Sequence, residues 1–168
     1  MERYLIDTNV VSDYLSASFS SAGLGLMDEA LDATPNISII TQIELLCWKT
    51  DESTIENIKQ FIADCIIYDI NSDVINHCVN LRKSKKIKTP DAIIAATALA
   101  HGFTIITSNE KDFNNIKGLK ILNPNSMKVN CFITSHSLYH HRQYTPHYLA
   151  WPLSWPLSVS SQRIWAIV

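Results

Sequence analysis

Acidic residues are missing from one whole stretch of this 168-residue chain. All 16 aspartates and glutamates lie between Glu2 and Asp112, and none occurs from Lys128 to Val168. Glycine is scarce as well, with four in all and no glycine-rich phosphate loop. The four cysteines, Cys47, Cys65, Cys78 and Cys131, form no CxxC pair, and no histidine stands at zinc-finger spacing. That pattern points to reduced thiols and away from a zinc site or a disulfide framework. No uncharged apolar run reaches membrane-spanning length. The opening Met1-Glu2-Arg3-Tyr4-Leu5-Ile6-Asp7 meets acids before any apolar run develops, unlike a secretory signal. The expectation is a soluble, cytoplasmic protein with no membrane partner. A strong positive charge is absent too. The net charge of −2 gives no global attraction to nucleic acid, so such a contact needs a local basic patch or a metal bridge.

What is present is 46% hydrophobic residues, enough for a folded globule with one core. Composition changes near residue 127. Residues 1–127 hold 11 basic against 16 acidic side chains, a net −5, and are expected to form the domain. Residues 128–168 carry only Lys128, Arg142 and Arg163 as formal charges, with His136, His140, His141 and His147. They also hold the near-repeat Trp151-Pro152-Leu153-Ser154, Trp155-Pro156-Leu157-Ser158. Prolines 146, 152 and 156 forbid a continuous helix, and no periodicity is sustained. The expectation for 128–168 is an irregular tail: a disordered appendage, a docking arm or a read-through extension.

Within 1–127, short β-branched runs alternate with helical patterns. Strands are predicted at Arg3–Ile6, Ile37–Ile40, Cys65–Tyr68, Phe103–Thr107 and Leu119–Leu122. Helices are predicted at Val10–Leu15, Leu26–Ala33, Thr41–Trp48, Ser53–Ala63, Asn71–Lys83 and Pro90–Ala100, the last closed by Gly102, with Ser16–Gly25 as a loop. This order implies an α/β fold, three layers deep, with a mainly parallel central sheet. The helix Ala92–Ala100 is apolar on nearly every face, so it should be buried, with one face on the sheet and the other on a second subunit.

Parallel sheets bind ligands at the carboxyl ends of their strands. Asp7 directly follows the first strand, Glu44 lies in the helix after the second, and Asp112 lies just past the Phe103–Thr107 strand. Asp91 opens the helix that leads into that strand. Each acid has a local explanation: Asp7 or Thr8 as a helix cap, Thr41 and Glu44 as a capping box, Asp91 at a helix dipole, Asn109 as a cap. Together they imply more. Two carboxylates about 4 Å apart repel by roughly 4 kcal/mol at a protein-like dielectric, and a divalent cation removes that cost. Magnesium suits such oxygen donors, because it takes one or two carboxylates and keeps water in the rest of its shell.

Four segments then stand out. They are Leu5-Ile6-Asp7-Thr8-Asn9, Ile40-Thr41-Gln42-Ile43-Glu44-Leu45-Leu46, Thr89-Pro90-Asp91-Ala92-Ile93-Ile94-Ala95-Ala96-Thr97-Ala98, and Ile106-Thr107-Ser108-Asn109 with Asp112-Phe113. Together they resemble the motif blocks of PIN-domain proteins, most closely VapC-type toxins of VapBC toxin–antitoxin pairs. The resemblance covers about residues 3 to 124. It implies a magnesium- or manganese-dependent endoribonuclease, with Asp7, Glu44, Asp91 and Asp112 as metal-binding and catalytic acids, and Thr8, Asn9 and Asn109 in support. It also implies an RNA substrate, a homodimer and a VapB-like antitoxin whose C-terminal segment covers the site. The run Arg82, Lys83, Lys85, Lys86 and Lys88 reads either as a solvated loop or as a phosphate-contacting strip leading into Asp91. Two other functions fit the residues: phosphoryl transfer at an acidic site, or a PIN module that binds antitoxin or nucleic acid without cleaving.

Overall fold

The computed structural model describes residues 2–16 and 18–127. Readings made for the tail, its histidines and its repeat fall on 128–168, outside the described residues.

Five three-residue strands form one sheet: β1 (Tyr4–Ile6), β2 (Asn36–Ser38), β3 (Ile66–Tyr68), β4 (Thr104–Ile106) and β5 (Lys120–Leu122). The order is β3-β2-β1-β4-β5, and every pairing is parallel. Helices α1 (Thr8–Leu15) and α2 (Ser21–Asp32) join β1 to β2, while α3 (Ile39–Leu46) and α4 (Glu52–Asp64) join β2 to β3. Helices α5 (Ser72–Ser84) and α6 (Thr89–His101) join β3 to β4, and the short α7 (Glu110–Phe113) leads to β5 and a final 3-10 turn, Pro124–Ser126.

Successive strand residues point to opposite faces. Tyr4, Ile6 and Ile106 pack with Val10, Met27, Ile37, Leu45 and Ile58 on one side. Leu5 and Ile105 pack with Ile94, Ala95, Ala98, Phe103 and Phe113 on the other. Each fully buried Ile or Leu contributes roughly 1.5–3 kcal/mol, so both helical layers are held by the sheet. The three-layer α/β/α arrangement is thus the expected one.

Several local expectations are corrected. The strand at Ile37 stops at Ser38, and Ile39 and Ile40 already belong to α3. Ser38, fully buried, turns its hydroxyl back to accept the Thr41 N–H at 3.0 Å and so caps the helix. Thr41 is therefore not the N-cap, and the Thr41–Glu44 capping box does not form. Helix α2 starts at Ser21 and not at Leu26: Ser20 caps it by accepting from the Gly23 N–H, and its glycines lie inside the helix. A Cβ on Gly23 would meet the Pro124 carbonyl oxygen at 2.6 Å, so only glycine lets the 3-10 turn pack there. At α6, Thr89 is the first helical residue, behind Lys88, and no side chain caps the end. Gly102 closes that helix in the left-handed conformation, as expected. Helix α6 packs along α5 of the same chain, and Ala92 and Ile94–Ala98 are buried.

Candidate active site

β1 lies in the middle of the sheet, with β2 and β3 on one side and β4 and β5 on the other. The chain runs outward in both directions from β1, so the boundary between β1 and β4 is the switch point where parallel sheets open a crevice. Asp7 ends β1 at that boundary, its N–H donating to the Ile106 carbonyl at 3.0 Å. Thr107 ends β4 beside it. The Thr107 hydroxyl donates to Asp7 Oδ2 at 2.7 Å, Asn9 Nδ2 donates to the same oxygen at 2.9 Å, and the Thr8 N–H donates to Oδ1 at 2.8 Å. Asp7 is thus the N-cap of α1, yet only 4% of it is exposed. Burial pushes its pKa up to about 6; the Thr107 and Thr8 hydrogen bonds pull it down, and the charges of Asp91 and Glu44 add to the rise.

Glu44 does not reach back to its own helix end. With α3 starting at Ile39, it falls in the second turn, where it accepts the Thr8 hydroxyl at 2.5 Å. Asp91 stands in the first turn of α6, half-buried. Its pKa is raised by burial and by the neighbouring charges of Asp112 and Glu44, against the opposing charge of Lys88. Asp112 accepts from Asn109 Nδ2 at 2.5 Å, so Asn109, although it precedes α7, gives its side chain to that carboxylate and not to the helix end.

Asp7, Thr8, Asn9, Ser12, Glu44, Trp48 and Asp91 line one open pocket of about 370 Å³. Asp112 is not among its lining residues but lies close enough to perturb Asp91. Of the basic run, Arg82 donates to the Ile87 carbonyl, and Lys85 donates to the carbonyls of Asp112, at 3.0 Å, and Asn114, at 2.5 Å. Lys83, Lys86 and Lys88 are exposed. Thr107, Ser12 and Trp48 were not expected at the site. The strand position opposite Asp7 was the available signal for Thr107; for the other two only the helical spacings 8–12 and 44–48 were available.

The lining donors are carboxylates, hydroxyls and an amide, with no histidine or cysteine. Such hard oxygen donors fit magnesium or manganese better than zinc. Among the described residues no three carboxylate, histidine or cysteine side chains are drawn tightly enough to form a closed coordination cluster. Magnesium does not require one, since water completes its shell around one or two carboxylates.

The family model of the PIN domain matches residues 4–119. The chain belongs to the PIN-domain family. This PIN domain is 30% identical to the plasmid stability protein StbB of Pseudomonas syringae pv. tomato, over 71% of this chain and 96% of that protein. It is 50% identical to ribonuclease VapC1 of Rickettsia felis over 40 residues, which is 24% of this chain and only 30% of the relative. Its fold superposes on a chain of a toxin–antitoxin complex from Klebsiella pneumoniae with a TM-score of 0.57 and 33% identity, covering 72% of this chain and 97% of that one. Among the described residues, no helix is long and apolar enough to cross a membrane.

Proposed function

We propose that this PIN domain is a magnesium- or manganese-dependent endoribonuclease and the toxin of a VapBC-type pair acting in the cytoplasm. The observation that carries the reading is the pocket at the switch point, where Asp7, Glu44 and Asp91 face one space with no cation within ion-pair distance among the described residues. Stability alone gives no reason to gather acids there, because each raises the cost of charging the others. The names carried by VapC1 and by the Klebsiella complex agree with it.

One or two of Asp7, Glu44 and Asp91 would hold the ion directly and the rest through its water shell, with Asp112 on the Asp91 side. Bound there, the ion would supply a Lewis acid for a phosphate oxygen and a water of lowered pKa. Thr107, Asn9 and the Thr8 N–H fix both oxygens of Asp7, so that carboxylate is pre-oriented. Thr8 positions Glu44, and Asn109 positions Asp112. The exposed Lys83, Lys86 and Lys88 supply the basic strip that an acidic site needs for a polyanion. A VapB-like antitoxin is the expected inhibitor. The exposed apolar residues Ile43 and Leu46 on α3, and Ile75 and Val79 on α5, are the surface offered for a homodimer.

The test is cleavage of total cellular RNA by the purified chain with and without magnesium, with the cut sites mapped. Cleavage is expected only with the ion. Asp7→Asn should lower it by at least about two orders of magnitude, the scale for losing one group that stabilises transition-state charge, while the far-ultraviolet spectrum stays unchanged. Full-rate cleavage by that variant would sink the assignment.

A further inference from the structure

The basic run that precedes Asp91 is not uniform. Lys83, Lys86 and Lys88 are exposed, whereas Lys85 is half-buried. Its ammonium donates to two main-chain oxygens, the Asp112 carbonyl at 3.0 Å and the Asn114 carbonyl at 2.5 Å. Among the described residues it makes no ion pair within 4 Å. Both acceptors belong to the end of α7, a helix of one turn, far shorter than a helix that stands alone in water. The last carbonyls of such a turn have no partner within it. Two anchors hold it instead: the fully buried Phe113 and the Lys85 ammonium.

The other side of this tie is itself fixed. The Lys85 N–H closes α5 on the Leu81 carbonyl at 2.9 Å, Arg82 donates to the Ile87 carbonyl, and Ile87 is buried in the same apolar cluster as Phe113. Residues 85–88 then lead directly into α6, whose first turn carries Asp91. Lys85 thus joins the segment that delivers Asp91 to the segment that carries Asp112. Asp112 is held at two points, its carboxylate by Asn109 and its carbonyl by Lys85.

We propose that Lys85 is a positioning residue of the site and not an RNA contact: by holding the main chain of α7 it sets the Asp112 carboxylate against Asp91, and with it the affinity for the divalent ion. This rests on the metal-dependent reading above. An ammonium committed to two carbonyls has to abandon both before it meets a phosphate, and hydrogen bonds from a charged donor are the strong ones. Lys83, Lys86 and Lys88 carry no such commitment.

The test reads manganese binding to the full chain by titration calorimetry, without turnover. Lys85→Met keeps the aliphatic stem and removes the donors. It is expected to weaken manganese binding about tenfold, the lower end of the range for losing a group that orients a metal ligand. Lys85→Arg, which keeps the charge and the donors, recovers most of the loss. In an Asp112→Asn background Lys85→Met costs little more, because the two changes act through one carboxylate. The salt dependence of affinity for a non-cleavable 2′-O-methyl oligonucleotide is the same in Lys85→Met as in wild type. Lys86→Met does the reverse, keeping the manganese affinity and lowering the salt slope by about 1. Should Lys85→Met fail to fold, Lys85→Gln, which keeps a neutral donor, carries the same comparison. Wild-type manganese affinity in a folded Lys85 variant that lacks the charge, an equal loss with and without the Asp112 carboxylate, or a reduced salt slope overturns the proposal. Absence of manganese binding in the wild type overturns it together with the metal-dependent reading. Manganese binding that depends on Lys85 as described, without any cleavage of RNA, sinks the nuclease reading and leaves the positioning assignment standing.

Discussion

At the amino-terminal end of the sheet, Glu2 lies 3.6 Å from Lys120 and accepts the Thr104 hydroxyl at 2.9 Å, while Arg3 covers the Phe103 ring at 4.8 Å and donates to the His101 carbonyl. At the carboxyl-terminal end of the same strands, Asp7, Glu44 and Asp91 have hydroxyl, amide and backbone donors or other acids around them, and no ion pair within 4 Å among the described residues. One end pairs its charges in water; the other keeps like charges together and buries one of them. A sheet built for stability alone would treat both ends in the first way. The difference locates the end of the fold where like charges carry an electrostatic cost.

The sharpest way to test that contrast is Thr107→Val. It keeps the side-chain shape but removes the hydroxyl that donates to Asp7 and accepts the Asn109 N–H at 3.0 Å. Loss of such a supporting group is expected to lower magnesium affinity, read by titrating cleavage against the ion, by about 10–100-fold. The stranded Asn109 N–H should add a stability loss on the order of 1–3 kcal/mol in urea unfolding. A variant with wild-type magnesium dependence would erase the distinction between the two ends.

A second test uses pH without divalent ions. The Asp7 pKa is raised from 3.8 to about 6 in the fold, chiefly by burial. The folded state therefore prefers the protonated acid. Its contribution to stability is complete below 3.8 and is lost as pH rises through about 6. Relative to Asp7→Asn, which does not titrate, the wild type should lose roughly 2–3 kcal/mol between pH 4 and pH 7, and magnesium should restore part of it. A gap between the two proteins that stays constant with pH would mean that Asp7 is solvated like an ordinary surface acid. The smallest effect belongs to the other end. Lys120→Ala breaks an ion pair whose side chains are 78% and 48% exposed, so stability should change by no more than about 0.5 kcal/mol, with cleavage unaltered. An activity loss like that of Thr107→Val would show that the paired end is also functional.

The layered fold and its parallel sheet were legible because short β-branched runs and helical periods alternate along the chain. That Asp7, Glu44 and Asp91 share one pocket was legible because a parallel sheet gathers the loops and helix starts that carry them at one edge. What misled was local chemistry overridden by tertiary burial. Ile39 and Ile40 have strand propensity, yet a buried serine hydroxyl at position 38 starts a helix one residue before them. Gly23 and Gly25 read as loop until the close approach of Pro124 explains the first. Glu44 fitted a capping box in sequence, but its partner, Thr8, lies 36 residues away along the chain. Thr107 is an ordinary strand residue until β4 is placed beside β1.

Gly23 carries a further implication. By admitting the carbonyl of Pro124, it seats a turn whose asparagines reach forward: Asn123 donates to Glu110 at 2.8 Å and Asn125 to Ser108 at 3.2 Å. Ser108 is in turn linked to Asn9 through its own N–H and to Asp13 through its hydroxyl. The rim of the crevice is therefore moored from behind, through a spot on α2 where one hydrogen atom stands in place of a methyl group. Selection at this glycine would act on the alignment of distant carboxylates as much as on the helix that contains it.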